Sequence, residues 1–396
     1  MTRTLHVRLS LLMFLQYVVP ACTLPILGLY LTAHLHFKPE QVGWIYAMPA
    51  TAALITPYFI SQVVDRWMSA ERLTGFCHLL CAVLMLGLYL QESFYPFLFL
   101  YLAHSLLFAP TVALTNAVVL RHVPDAQKDF GRVRLWGTFA WIAVAWVFGF
   151  IYLNAGDGPA SERLPHVLVL CALASAAVAV YSLTLPRPHV HSAGTPATFL
   201  PWKVFRDFRE RSLVVLLLAS FFFSVGTQFY FTYTSVFLSA AGFETDHIMP
   251  AMSIGLFFEM GMLFFVGSLL GRFGTKTVFL VALAGQGLRY LLFMTASLPA
   301  IYLGLSFQGL AFTFYAAAVV YIDRRSTPHK RSSMQQLYGL VMGLGNLIGS
   351  LFAGWTGQLF TQADSTIYFP HVWFIAATLS ALAILTVALG FPRRQP

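Results

Sequence analysis

Long apolar runs alternate with short polar ones along the whole chain. The apolar runs fall at Leu9–Leu31, Val42–Val64, Leu73–Leu90, Tyr95–Leu120, Val133–Leu153 and Val167–Leu185. A second set follows at Leu213–Leu238, Ile248–Leu270, Val278–Ala296, Ile301–Ile322, Met334–Phe360 and Val372–Leu389. A helix needs about 20 apolar residues to cross the hydrocarbon core of a bilayer, so each run predicts a membrane-spanning helix. The interval Pro186–Arg211 is longer and more basic than the other polar runs and separates six spans from six. The pattern predicts an all-α membrane protein of twelve helices in two six-helix bundles. Residues 1–185 form the first bundle, 212–396 the second, and 186–211 a cytoplasmic linker. Pro49, Pro57 and Pro110 lie inside spans, where neighbouring helices can satisfy the freed backbone groups.

Composition agrees: 58% of the 396 residues are hydrophobic and 10% charged, far from the balance of a water-soluble domain. A single large buried α domain would not need continuous runs of bilayer length. The net charge of +9 does not indicate nucleic acid, because the basic residues are parcelled into short loops. With both termini inside, 21 of the 24 lysines and arginines fall in inner segments, against Lys38 and Arg163 outside and Arg289 within a span. That bias predicts a multi-pass protein of the cytoplasmic membrane with cytoplasmic termini. Leu9–Leu31 is too long for a cleavable signal and lacks a small-residue cleavage site. Cys22, Cys77, Cys81 and Cys171 lie in apolar runs without metal-ligand company, so they read as packing residues and no metal is expected. No nucleotide-binding glycine loop or ATPase motif occurs, so the proton gradient is the expected source of drive, and no cofactor is expected.

The halves repeat. The second loop of the first half reads VVDRWMSAER (Val63–Arg72), and its counterpart in the second half reads LLGRFGTKTV (Leu269–Val278). Both are tight, inward and basic. Parallel six-helix repeats with a site between them are a transporter architecture. The loops resemble the signature of the major facilitator superfamily, a Gly-x-x-x-Asp-Arg-x-Gly-Arg-type run. Asp65 and Arg66 are kept, with Ser61 at the leading glycine position; the second copy keeps Gly267, Arg272, Gly274 and Lys276, with Gly271 in place of the acid. Asp65, Arg66, Arg72, Arg272 and Lys276 are therefore expected in gating loops; the alternative for the Asp65–Arg66 pair is an ordinary solvated contact.

Ionisable groups inside a bilayer are costly and mark pathways. Arg134 heads the run Val133–Leu153 and shares a helical face with Thr138 and Trp141. Spacing alone leaves two readings open: a substrate-lining stripe, or an arginine snorkelling to the headgroups. Glu259 sits at mid-span, too deep to snorkel. It is expected to act as a proton carrier, against a permanently protonated structural role. Gln228 in the seventh span offers both donors and acceptors. Gln308, Phe312 and Tyr315 form a polar and aromatic stripe in the tenth, where simple packing is the other explanation. His104 and Asn116 can share a face of the fourth span, and Arg289 is a second expensive charge with no evident partner.

Several stretches together resemble the nucleoside:proton symporter (nucleoside permease) family of that superfamily. They are FLQY (Phe14–Tyr17), DRWMSAER (Asp65–Arg72), FAPTVALTN (Phe108–Asn116), RVRLWGT (Arg132–Thr138), TLPRP (Thr184–Pro188) and MSIGLFFE (Met252–Glu259). GLRYLLF (Gly287–Phe293), QGLAFTF (Gln308–Phe314) and RSSMQQLYGL (Arg331–Leu340) continue the resemblance. It implies a nucleoside held between the halves by Arg134, Thr138, Trp141, Gln228, Glu259 and Phe312. Phe231, Leu256 and Gln308 occupy positions where the family can carry Asn, Gln and Tyr; Thr313 replaces an acid, and Val18–Cys22 replaces a tryptophan-containing run. The resemblance implies proton-coupled nucleoside uptake by alternating access, with Glu259 as coupling site. A sugar or glycoside symporter and an exporter of amphipathic compounds are the alternatives. A membrane-embedded enzyme would need a nucleophile–base pair or a metal cluster, and neither is present in the sequence. The expected partners are a ring-bearing polar solute, a proton and membrane lipid, without nucleic acid, and the expected state is a monomer.

Overall fold

The computed structural model describes residues 3–57, 68–123, 126–155, 158–185, 210–326 and 331–392. Helix follows the apolar runs closely. In chain order the long helices are α1 (Arg3–Thr23), α2 (Pro39–Ile55), α3 (Ala70–Tyr89), α4 (Phe94–His122), α5 (Ala126–Trp146) and α6 (His166–Leu183). They continue with α7 (Arg211–Ala240), α8 (Thr245–Phe273), α9 (Thr275–Met294), α10 (Leu298–Ser306 and Gln308–Arg325), α11 (Arg331–Leu359) and α12 (Phe369–Gly390). Eleven helical stretches among the described residues are long and apolar enough to cross a membrane. α2 has 17 residues, and residues 58–64 of its expected span, together with Asp65, Arg66 and most of the expected linker, lie outside the described residues.

Helix ends follow local chemistry. Ser69 caps α3, its hydroxyl accepting from the Arg72 N–H at 3.5 Å. Between α8 and α9 the chain turns on Gly274, whose φ of 75° suits a residue without Cβ. Three spans are less regular than their apolar pattern indicates: the first turns at residues 24–26 after α1 and runs on through Leu27–Leu29 and a π-helical stretch, Tyr30–His34. α5 runs on as a π-helical stretch, Val147–Leu153, and α10 is interrupted at Phe307. The α10 interruption falls beside Gln308.

The described residues form two compact units. One is drawn from Met1–Phe37, Met48–Phe199 and Phe243–Pro250, the other from Lys38–Ala47, Leu200–Gly242 and Ala251–Pro396. In the first, α1 packs on α5 and α6, while α3 packs on α4 and α6. In the second, α7 packs on α11 and α12, while α9 packs on α10 and α12. Adding six to each helix number turns one set into the other, so the repeat seen in the two basic loops extends to helix packing.

Each unit has its own apolar core: Leu9, Leu12, Met13, Leu114, Val118 and Val133 in the first, and Leu216, Phe223, Phe279, Phe314 and Ala317 in the second. Large side chains left exposed, such as Val83, Val180, Phe264 and Leu389, are apolar too. An apolar exterior over an apolar core is the surface lipid requires.

The first unit also holds a buried polar hub. Gln16 of α1, fully buried, donates to the Thr111 hydroxyl at 2.9 Å and accepts from the Thr115 hydroxyl at 3.1 Å, both on α4. Its Oε1 also lies 2.9 Å from Nε2 of His78 on α3. His104 packs rather than bonds: its ring stacks on Phe108 at 5.8 Å and Tyr101 at 6.0 Å. The four cysteines are buried and unpaired.

Candidate functional site

The residues singled out in the sequence fall in two groups, one in each unit. Arg134, Thr138 and Trp141 lie on α5 in the first and are all half-buried. The Arg134 guanidinium sits over the ring of Tyr17 on α1, 3.9 Å from its centroid. Gly137 makes that placement possible. A Cβ there would meet Arg134 Nη1 at 2.6 Å and the Tyr17 ring at 2.8 Å. The Arg-x-x-Gly spacing of RVRLWGT therefore lets the guanidinium fold across its own helix onto an aromatic face.

The second group lies on α7, α8 and α10. Gln228 and Phe231 of α7, Leu256 and Glu259 of α8, and Phe312 of α10 are half-buried; Gln308 is buried at 9% exposure. Two glycines bring α8 and α10 together. A Cβ at Gly255 would lie 2.6 Å from Gln308 Cβ, and one at Gly309 would lie 2.5 Å from the Glu259 amide nitrogen. Glu259 and Gln308 are thus neighbours across a backbone contact. Phe312 lies 5.5 Å from Tyr315, and Phe231 lies 5.6 Å from Tyr230.

The two amides are held from behind. Gln228 Oε1 lies 3.2 Å from the hydroxyl of Ser350 on α11. That hydroxyl also lies 2.9 Å from the Asn346 carbonyl and 3.1 Å from the Tyr46 carbonyl. Gln308 Oε1 accepts from Arg289 Nη1. Arg289 is fully buried, its Nη2 donates to the Tyr290 hydroxyl at 3.2 Å, and its Cζ lies 4.2 Å from the Tyr230 ring centroid. Sequence alone shows no partner for this arginine; the structure supplies three, from α7, α9 and α10. Nothing in the spacing of GLRYLLF and QGLAFTF signals that pairing, which exists only once α9 and α10 pack. Tyr17 and Ser350 were missed for the same reason.

Of the basic residues expected in gating loops, Arg72 and Arg272 are exposed. Lys276 donates to the carbonyls of Ala388 at 2.7 Å and Phe391 at 2.6 Å, holding the end of α12. Among the described residues Glu244, Asp246 and His247 are close enough to share a metal ion. Glu244 precedes α8 and Asp246 and His247 lie in its first turn, with His247 Nδ1 2.9 Å from Asp246, and two of the three are exposed.

In the first unit a half-buried guanidinium lies on an aromatic face; in the second a mid-span carboxylate and two amides lie among aromatic rings. They offer no nucleophile with an adjacent base. The Nucleoside H+ symporter family matches residues 3–395. YegT of Escherichia coli (strain K12) is 28% identical, over 97% of this chain and 92% of its own. The xanthosine permease of the same organism is 26% identical, over 98% and 96%. Among solved structures, the nucleoside transporter NupG superposes with a TM-score of 0.87 at 24% identity, covering 98% of this chain and all of its own. That likeness gives the fold, the major facilitator architecture expected from the loops. With the family match running through nearly every residue, the chain belongs to the nucleoside H+ symporter family, whose members are transporters and not enzymes.

Proposed function

We propose that this member of the family imports nucleosides across the cytoplasmic membrane together with a proton, as a monomer working by alternating access. Residues 1–185 and 212–396 act as its two bundles, joined by a linker at 186–211, with both termini cytoplasmic. Arg134, Thr138, Trp141, Gln228, Phe231, Leu256, Glu259, Gln308 and Phe312 line the substrate site. Glu259 carries the proton, and Asp65, Arg66, Arg72, Arg272 and Lys276 belong to the gating loops.

The observation that carries this reading is the place of Glu259. It is a half-buried carboxylate in the middle of an apolar helix, one residue from the α8–α10 backbone contact that also seats Gln308. Protonation neutralises it, and a neutral group is far cheaper to move through a low-dielectric interior. The relatives named above, described as a xanthosine permease and a nucleoside transporter, support nucleosides as the solute class.

Uptake of labelled uridine and adenosine into proteoliposomes tests it, with and without an inward proton gradient, beside Glu259→Gln. Gradient-driven uptake that the variant abolishes is the expected result. Unchanged coupling in Glu259→Gln would assign that residue a structural role. Transport of sugars and no nucleoside would replace the solute class.

A further inference from the structure

Among the described residues of the second unit Arg289 is the most deeply buried charge, and it spends a donor on a residue of the substrate set. A guanidinium has five N–H donors and no acceptor. The Gln308 carboxamide has one oxygen and one NH2 group, so the edge facing Arg289 must be the oxygen. The pairing leaves no alternative flip, because an NH2 edge would set donor against donor. The guanidinium is itself held in place. Tyr290 accepts from Nη2 at 3.2 Å and donates onward to the Gly226 carbonyl at 2.7 Å. The Tyr230 ring closes one side at 4.2 Å. Gly255 packs against Gln308 Cβ and fixes the root of the side chain. Gln308 Oε1 is thereby spoken for, and its Nε2 has no hydrogen-bond partner among the described residues.

We infer that Arg289 is a positioning residue that locks Gln308 into a donor, so that this position reads a carbonyl oxygen on the base and rejects an amino group. This deepens the proposed function and rests on it. The preferred substrates are then nucleosides whose base presents an oxo group, of the uridine, inosine and xanthosine kind. Cytidine and adenosine present an amino group at the corresponding edge. A buried donor facing another donor leaves both unpaired, and that is how a hydrogen-bonding site discriminates strongly. Phe231 and Leu256 sharpen the contrast. Neither offers an amide that could accept from an amino group, whereas the family can carry Asn and Gln at these positions. Gln228, its Oε1 turned to the Ser350 hydroxyl, can still present its NH2 to the ribose or the opposite edge of the base.

The experiment is competition of unlabelled uridine, inosine, cytidine and adenosine against labelled uridine uptake in proteoliposomes, with KM and kcat measured for uridine and cytidine. Wild type, Arg289→Lys, Arg289→Gln and Gln308→Met are compared. Wild type is expected to favour the oxo nucleosides by about tenfold or more, the factor that about 1.4 kcal/mol of pairing energy gives. Arg289→Lys keeps a group that only donates and is expected to keep that ratio. Arg289→Gln lets Gln308 turn over, and the ratio is expected to collapse toward one through KM while uridine kcat changes less. Gln308→Met removes the reader and is expected to flatten the ratio as well, which covers the case in which Arg289→Gln does not fold. A loss of transport equal for all four nucleosides, with the ratio unchanged in both variants, would make Arg289 a structural residue and overturn the inference while nucleoside transport stands. A wild type that does not discriminate overturns it directly. A wild type that moves no nucleoside overturns the proposed function itself, and the inference with it.

Discussion

The contact between α8 and α10 at Gly309 admits no side chain, and that makes Gly309→Ala an informative perturbation. The added methyl would meet the Phe258 carbonyl carbon, the Glu259 amide nitrogen at 2.5 Å and the Phe258 carbonyl oxygen at 2.7 Å. All three are backbone atoms in mid-helix, so none can rotate away. Ordinary carbon contacts of roughly 3.5 Å require the two helices to part by about 1 Å. Overpacking of this kind costs about 1–3 kcal/mol. In a body the size of one unit each kcal/mol lowers Tm by about 2–4 °C. The displacement falls between Glu259 and Gln308, so uptake should suffer beyond the loss of stability: about tenfold in kcat/KM for uridine, equivalent to about 1.4 kcal/mol. Thermal unfolding followed in detergent and proteoliposome uptake are the assays. Gly339→Ala, at a helical glycine with nothing within 4 Å of its would-be Cβ, is the control and should change neither. A Gly309→Ala protein with the Tm and uptake of wild type would refute the close contact and, with it, the pairing of Glu259 and Gln308.

Three further outcomes are expected. Gln16→Leu strips the bonds to Thr111, Thr115 and His78 from a fully buried hub; it should lower stability by about 1–3 kcal/mol, read as a fall in Tm. Ser350→Ala removes the hydroxyl behind Gln228; with Gln228 freed to turn, KM for uridine should rise by about threefold to tenfold at nearly constant kcat, the size of one modest hydrogen bond. In the exposed loop between α11 and α12, Asp364 accepts from the Thr366 hydroxyl at 2.6 Å and its N–H at 3.0 Å, which holds the carboxyl below its ordinary value. A depressed carboxyl favours the folded loop above its ordinary pKa and loses that contribution as pH falls through the depressed one. Thr366→Ala should therefore shift the Asp364 titration upward, as followed by carbon-detected NMR in micelles, and leave behaviour near neutral pH unchanged.

The spans were legible because a bilayer imposes its own length: an apolar run of about 20 residues has few structural options. The six-plus-six division remains an expectation drawn from how lysine and arginine are sorted among the loops. Irregularities within spans were not legible. The break at Phe307 falls among Ser306, Gln308 and Gly309, but one Ser, one Gln and one Gly within a long apolar run do not by themselves mark a helix end. The candidate site was legible where one helix carries the pattern, as with Arg134, Thr138 and Trp141. Spacing could not show where the Arg134 guanidinium rests, because Tyr17, whose ring it covers, belongs to another helix. Arg289 is the stronger case. The sequence marks it as costly, and only the packing of α9 against α7 and α10 shows what the cost secures.

The Gln16 hub also constrains how the chain is made. α1 enters the membrane before α3 and α4, carrying an amide that lipid cannot solvate. Its partners are His78 on α3 and Thr111 and Thr115 on α4, all of which emerge from the ribosome later. Until α4 arrives, that amide must be sheltered by water, by the insertion machinery or by a temporary partner. The first helix therefore cannot settle by pairing with its immediate successor, and the bundle closes around Gln16 only when four helices are present.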